Sequence, residues 1–287
     1  MKPKVDYLYN FYYEQLKKIA ISRFKWLNLP ASCNAEKLEN DLFYYGLCSF
    51  LNTNDYGLIN LNATMCDGLN FYNLPISANC YSVSFPSTIK YVDYIGEKGT
   101  DSCVLCYNNK DYLSDTLIVD HYAKRLREIE RTLNCNVKAM KTPIVLETDQ
   151  KTKLSINNAY EQYEEGEPVI IVNKNMLAQN GGFINVINTN VPYYLDKLSD
   201  YKRIIFNEFL SIMGIDNVNI DKKERLTAGE VTQNNENLNI NLNYYLEQRK
   251  KCAEILNKKY DLNVQVEFNY KDGEENEQIY DRVEIPN

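Results

Sequence analysis

Two amphipathic stripes bracket a segment of different period, and this arrangement narrows the folds open to the chain more than any other feature. From about Asp115 to Val137 the apolar residues Ile118, Tyr122, Leu126, Ile129, Leu133 and Val137 step by four, four, three, four and four. That spacing marks one face of a continuous helix. Lys124, Arg125, Arg127, Glu128, Glu130 and Arg131 fall on its polar side, and Ser114 or Asp115 stands where an N-cap is needed. The second stripe is Tyr194, Leu198, Tyr201, Ile205, Phe209 and Ile212, opened by Asn190 and Pro192 and closed by Gly214. At a rise of about 1.5 Å per residue the two rods run to roughly 35 and 30 Å. Between them, residues 141–190 lose the helical period. Pro143 to Leu146 and Val169 to Val172 read as strands, Ser155 to about Tyr163 as a short helix, and Asn180-Gly181-Gly182 as a turn. Two rods flanking a small α+β insertion can lie antiparallel and carry the insertion at one end.

The flanking segments are mixed. Residues 6–27 predict an aromatic-rich helix through Tyr9, Tyr12, Tyr13, Leu16, Ile19, Ala20, Phe24 and Leu27, stopped at Asn28-Leu29-Pro30. A second helix is predicted from Ala35 to about Tyr45, ended by Gly46, and residues 47–110 read as short strands and loops. Beyond the second rod come the charge cluster Asp221-Lys222-Lys223-Glu224-Arg225 and the run EVTQNNENLNINLN from Glu230 to Asn243, expected to be a mobile polar loop. Tyr244 to Lys259 predicts a helix. Val264, Val266, Phe268 and Tyr270 alternate with polar residues as a half-buried strand does. The tail, 271–287, is acidic and polar and is expected to be mobile. The fold class is α+β, mainly helical.

Composition bounds the function. With 287 residues, 44% of them hydrophobic, the chain can bury a large core. A net charge of −7 excludes a simple basic nucleic-acid binder, so contact with a polyanion has to be local and transient. The 24 tyrosines suit interfaces, and an AT-rich coding sequence would enrich them equally; both readings stay open. Cys33, Cys48, Cys66, Cys80, Cys103, Cys106, Cys135 and Cys252 are scattered, and the start MKPKVDYLYN lacks an apolar signal region, which predicts reduced thiols in a cytosolic setting. No run approaches the length of a membrane span. The sequence contains no phosphate-binding loop, dinucleotide fingerprint, GxSxG or HExxH pattern. The lone His121 sits on the first rod. The single CxxC, Cys103 to Cys106, has no further ligands at metal-site spacing and reads as structural. The sequon Asn62-Ala63-Thr64 carries no weight without a secretory leader, and Glu164-Glu165 and Glu274-Glu275 read as solvated faces. No enzyme, metal or cofactor is expected. Lys197, Lys222 and Lys223 would be ordinary surface charge in a monomer; arranged around a ring they would sum to a real field.

Seven segments carry a family likeness: WLNLP from Trp26, KTPIVLE from Lys141, the stretch from Leu154 to Ile170, PYYLDKL from Pro192, NEFLSIMGI from Asn207, DKKERLTAGEV from Asp221 and LNVQVEFNY from Leu262. In this order and spacing the chain resembles the upper collar, or portal, proteins of small short-tailed phages of the Salasvirus type, from about Phe11 to Tyr270. The resemblance implies a dodecameric ring around a DNA channel. Residues 1–111 would form the first part of a wing, 112–140 a stem helix, 141–190 a clip, 191–214 a second stem helix, and 215–270 the rest of the wing. Lys197, Lys222 and Lys223 would face DNA. The segment 230–243 would be a channel loop, presenting Glu230, Thr232, Gln233, Asn234, Asn235, Glu236, Asn237, Asn239, Asn241 and Asn243 to the bore.

The implied partners are further copies of the chain, double-stranded DNA held without sequence preference, the major capsid and scaffolding proteins, a packaging ATPase, and a lower collar or tail protein. No membrane is implied. The protein would be assembled in the host cytoplasm and sit in the virion at the capsid vertex, where it passes DNA inward, retains it and releases it. Two departures stand out. Asn188 occupies a position where the family has a channel lysine. The N-terminus carries only Lys2 and Lys4 ahead of Lys17 and Lys18, where type members have a basic extension tied to a packaging RNA, so an RNA partner is left open. The alternative is a structural tail collar or adaptor ring with no part in packaging.

Overall fold

The computed structural model describes residues 6–97, 99, 102–140, 144–146, 184–186, 193–216 and 228–269. The chain forms two compact units, Met1–Arg127 with Lys202–Asn287, and Glu128–Tyr201.

The first unit is built on a closed barrel of five strands, β2 Leu47–Thr53, β3 Gly57–Leu69, β4 Pro75–Tyr81, β5 Thr88–Val92 and β6 Ser102–Tyr107. All neighbours are antiparallel except β5 and β6, and β6 closes the barrel on β2 with Cys48 opposite Cys106. Closure removes the exposed edges that short strands would otherwise present. The interior holds Leu47, Leu51, Leu61, Ala63, Ala78, Cys80, Cys103, Leu105 and Tyr107.

The outer side of β2 and β6 is also buried. Cys48, Phe50, Val104 and Cys106 pack there with Leu38 and Leu42 of α2 (Ala35–Tyr45) and with Leu246, Cys252 and Leu256 of α5 (Ala228–Tyr260). Alternation therefore sends Cys103 and Cys106 to opposite faces of β6, one into the barrel and one into the second core. They cannot hold one ion together, and all eight cysteines are free thiols. Among the described residues no group of three or more His, Cys, Asp or Glu could hold a metal, and no helix is long and apolar enough to cross a membrane.

The expected first helix is shorter than its stripe. α1 spans Tyr7–Ile21, with Asp6 capping it through the N–H of Tyr9. The chain then turns into β1, Phe24–Leu27, which pairs antiparallel with β9, Gln265–Phe268. Phe24 and Trp26 alternate with Lys25, and that period of two prevails because a strand about 240 residues later supplies the ladder. Trp26 and Val266 lie opposite each other in the second core.

α3 spans Thr116–Met140. In the first unit Val119, Tyr122, Ala123 and Leu126 are buried; Ile118 is half-buried, so the buried face is rotated slightly from the predicted stripe. α4 spans Leu195–Ile212. Ile205 and Phe209 are buried as predicted, whereas Tyr194 and Tyr201 at its start are exposed. The second unit contains the strand pair β7, Ile144–Leu146, and β8, Ile184–Val186, with Ile144 opposite Val186. The first matches the predicted Pro143–Leu146 strand. The predicted strand at 169–172, the helix at 155–163, the turn at 180–182 and the acidic tail lie outside the described residues.

One connection inside the first unit is expected to respond to acid. Asp93, after β5, accepts from the N–H groups of Ile95 and Gly96 at 3.1 and 2.9 Å and pairs with the buried Lys259 at 2.7 Å. Burial pushes this carboxyl up, but Lys259 and the backbone donors outweigh it and hold it below its ordinary value of 3.8. A depressed carboxylate contributes stability that is present above the unfolded pKa and is lost as the pH falls through the folded one. Thermal unfolding below about pH 4 should therefore fall more steeply for the native chain than for Asp93→Asn. Parallel slopes would remove Asp93 from the acid response.

Candidate nucleic-acid interface

The two rods are fixed to the first unit by a buried polar network. Arg23, at the end of α1, is 1% exposed. Its Nη2 donates to Asp115 Oδ2 at 2.6 Å, its Nη1 to the carbonyl of Met213 at 3.2 Å, and its Nε to the carbonyl of Ala20 at 2.8 Å. The guanidinium lies 4.2 Å from the centre of the Tyr245 ring. One side chain thus ties the end of α1, the start of α3, the end of α4 and the middle of α5 together. Asp115 opens α3 with its backbone, accepting from the N–H of Val119, while its carboxylate takes Arg23 and the side-chain amide of Asn108. The predicted capping residue is thus spent on tertiary contacts.

Asn108 carries the network onward. Its carbonyl and Oδ1 accept from Arg249 of α5, which forks onto Glu39 of α2 at 2.9 and 2.7 Å. Glu39 also accepts from the Trp26 indole at 2.8 Å. Desolvation opposes the charge on Arg249, and Glu39 beside it raises its pKa nonetheless. Sequence reasoning missed Arg23, Glu39, Asn108 and Arg249. The one signal was charge inside apolar runs such as ISRFKWL, and partners 92 and 210 residues distant have no local trace.

The rods touch in the first unit. The Tyr122 and Phe209 rings meet edge to face at 5.6 Å, and Arg125 pairs with Glu208 at 2.9 Å. α4 ends in a Schellman turn. Ile215 N–H reaches the Leu210 carbonyl, Gly214 N–H reaches Ser211, and Gly214 takes a φ of +72°. A Cβ on Gly214 would lie 2.6 Å from the Leu242 backbone, so only glycine lets α5 pass this close. Asn241 then caps the rod by donating to the Ser211 carbonyl at 2.8 Å.

This contact corrects one expectation. Residues 230–243 are not a loop; they form the first half of the 33-residue α5. Asparagine is a weak helix former, but Leu238, Leu242, Tyr245 and Leu246 recur at helical spacing, with Leu238, Tyr245 and Leu246 buried. Tertiary packing and the Asn241 cap override local propensity.

Four cations on α3 are paired within the chain: Lys124 with Asp120, Arg125 with Glu208, Arg127 with Asp6 and Arg131 with Glu128. Tyr9 also donates to Asp120, and burial with this carboxylate pushes the Tyr9 phenol up to about 12. His121 is exposed, edge-on to Tyr122. Lys197, in the second unit, is exposed on α4 between Asp196 and Asp200, with its ammonium 5.9 Å from the Tyr194 ring. Asp196 accepts from the Tyr193 hydroxyl at 2.9 Å. Lys222, Lys223 and Asn188 lie outside the described residues.

The sequence pattern of the Phage Connector (GP10) family matches residues 2–272. The chain belongs to that family: it is a phage head–tail connector. Among solved structures it is similar to a chain of the portal and tail of native bacteriophage P68, at 15% identity and a TM-score of 0.53, covering 96% of this chain and 90% of that one. It also matches a HK97-family portal protein from Corynebacterium diphtheriae, at 9% identity and a TM-score of 0.46 over 92% of this chain and 95% of that one. A chain from the virion of a native gene transfer agent particle matches at 11% identity and a TM-score of 0.48, over 96% and 85%.

Removing one partner of a buried ion pair strands the other, at a cost of about 3–5 kcal/mol. Arg23→Ala should destabilise by that amount in denaturant unfolding. Asp115→Ala added to it should cost less than the sum of the two single changes. Strict additivity would show that the two side chains act independently.

Proposed function

We propose that this connector assembles into a ring of about twelve copies around a DNA channel, serves packaging, and later docks the tail. The observation that carries the reading is the family match over residues 2–272. The two rods would be stem helices, residues 141–190 the clip that meets a packaging ATPase and then a lower collar or tail protein, and 1–111 with 215–270 the wing among capsid and scaffolding proteins. Its role would be mechanical, with the motor chemistry supplied by the partner. Assembly would take place in the host cytoplasm.

The electrostatics suit a conduit. A net charge of −7 per chain repels the phosphate backbone and keeps DNA moving. Four cations on α3, Lys124, Arg125, Arg127 and Arg131, are neutralised at home by Asp120, Glu208, Asp6 and Glu128, which leaves these four little free charge to grip a duplex. Lys197 is exposed on α4. One such charge, screened over about 8–10 Å, contributes under about 1 kcal/mol. Repeated around a ring it becomes a girdle of weak contacts, and Lys222 and Lys223 would add two more. The segment 230–243 would reach the bore as part of α5, presenting its asparagines as neutral hydrogen-bonding groups.

Light scattering on the purified chain should give about 400 kDa for a dozen 33.5 kDa copies, with an open centre in negative-stain images. A stable monomer would overturn the ring. The triple change Lys197→Ala, Lys222→Ala and Lys223→Ala should leave ring mass unchanged and lower the fraction of packaged genome retained. Loss of the ring itself would make these lysines structural.

A further inference from the structure

The seam that closes the barrel carries two thiols. β6 lies antiparallel against β2, and Cys48 and Cys106 are direct partners in that ladder. No other pair in the described ladders sets cysteine against cysteine. Direct partners project to the same side of a sheet. Both side chains therefore enter the second core, each at 0% exposure. Cys252 joins that core from α5. Cys80 and Cys103 lie inside the barrel, and Cys33, Cys66 and Cys135 keep some exposure.

The ladder fixes the distance that matters. Direct antiparallel partners hold their Cα atoms about 4.5 or 5.5 Å apart, according to whether they exchange hydrogen bonds. A disulfide spans Cα separations of about 4.4–6.8 Å. Either kind of pair falls inside that range, so the backbone need not move to join Cys48 to Cys106. Cys252 stands on a helix and has no ladder to hold it at that distance. As a thiol, Cys48 donates to the Leu61 carbonyl at 3.2 Å. Turning its sulfur toward Cys106 gives up that bond, and a thiol is a weak donor.

Burial pushes the Cys48 and Cys252 thiols well up. The thiolate is the reactive form, so the closed unit keeps its thiols quiet and oxidation proceeds through brief local opening of the seam. A reducing cytoplasm preserves such thiols, and disulfides persist in proteins that have left it. A head–tail connector leaves it with the virion.

We propose that Cys48 and Cys106 are an oxidation site that staples the barrel shut, forming a disulfide within the chain with hydrogen peroxide as the oxidant. One thiol loses its proton and the thiolate attacks a peroxide oxygen. An S–O bond forms, the O–O bond breaks, and the departing hydroxide takes up that proton as water. The second sulfur then attacks the sulfenic acid. The S–S bond forms, the S–O bond breaks, and the second hydroxide leaves with the remaining thiol proton. Two thiols thus pass two electrons to one peroxide and yield one disulfide and two waters. The link closes residues 48–106 into a covalent loop that contains β3, β4 and β5. The inference does not depend on the ring reading.

Peroxide treatment of the whole chain carrying Cys135→Ser tests it, with that exposed thiol removed so that copies do not cross-link. After alkylation in denaturant, a digest without reductant should yield peptides joined through Cys48 and Cys106 by mass spectrometry. The oxidised chain should melt several degrees above the reduced one, and dithiothreitol should reverse the shift only after unfolding. Cys48→Ala should abolish the link and the shift, whereas Cys252→Ala should keep both. If Cys48→Ala does not fold, the peptide map of the parent chain decides alone. Three results would overturn the proposal: Cys48 and Cys106 recovered as free thiols once Cys33 and Cys66 have oxidised, a link from either to Cys252, or a linked chain whose melting temperature is unchanged.

Discussion

The structure hangs on one buried polar chain, Asp115–Arg23 and Asn108–Arg249–Glu39–Trp26, in which Asn108 joins the two ion pairs. Taking such charges out of water costs several kcal/mol per ion, and attraction between them recovers this only when the geometry is good and the remaining hydrogen-bonding groups are satisfied. Both conditions hold. Arg249 is bidentate on Glu39 and reaches Asn108 with Nη1 and with the same Nη2, and Arg23 adds carbonyls of α1 and of the segment closing α4. Hydrophobic contact would tolerate small slides between these elements. A network of directed, fully desolvated bonds does not, so it specifies where α1 ends, where α3 starts and how α5 crosses them.

The network places that rigidity at the root of both long helices. The Arg23–Asp115 pair stands at the first residues of α3, and the Schellman turn at Gly214, sealed by Leu242 and Asn241, stands at the last residues of α4. Both rods are therefore clamped where they enter the barrel unit, and the clamps are made of backbone carbonyls and buried charge rather than flexible side-chain tips. Force along a rod would be met by bonds that must break together.

The surface follows a different rule. Lys124, Arg125 and Arg127 on α3 are paired with carboxylates, the whole chain is acidic, and large aromatic side chains of the barrel unit remain in water. Such a surface pairs little free positive charge with large apolar area. Charge screened over a Debye length falls off quickly, whereas buried aromatic area does not depend on salt.

The sequence by itself determined the elements whose periodicity is local and strong: α2 with its Gly46 stop, α3, α4 with its Gly214 stop, the C-terminal half of α5 and β9. It also carried the family signature. Tertiary structure decided the rest. Phe24 to Leu27 continued a helical stripe yet became a strand, because β9 lay within reach of its backbone. Residues 230–243 looked like a breaker-rich loop yet became helix, because Leu238 and Leu242 had a core to enter and Asn241 had a carbonyl to cap. Asp115, one of the two expected caps, does open α3 with its backbone, but its carboxylate became half of a buried ion pair. In each case local propensity differs by less than about 1 kcal/mol per residue. A long-range ladder, a buried side chain or a desolvated charge pair contributes more than that, and its partner is invisible until the chain is folded.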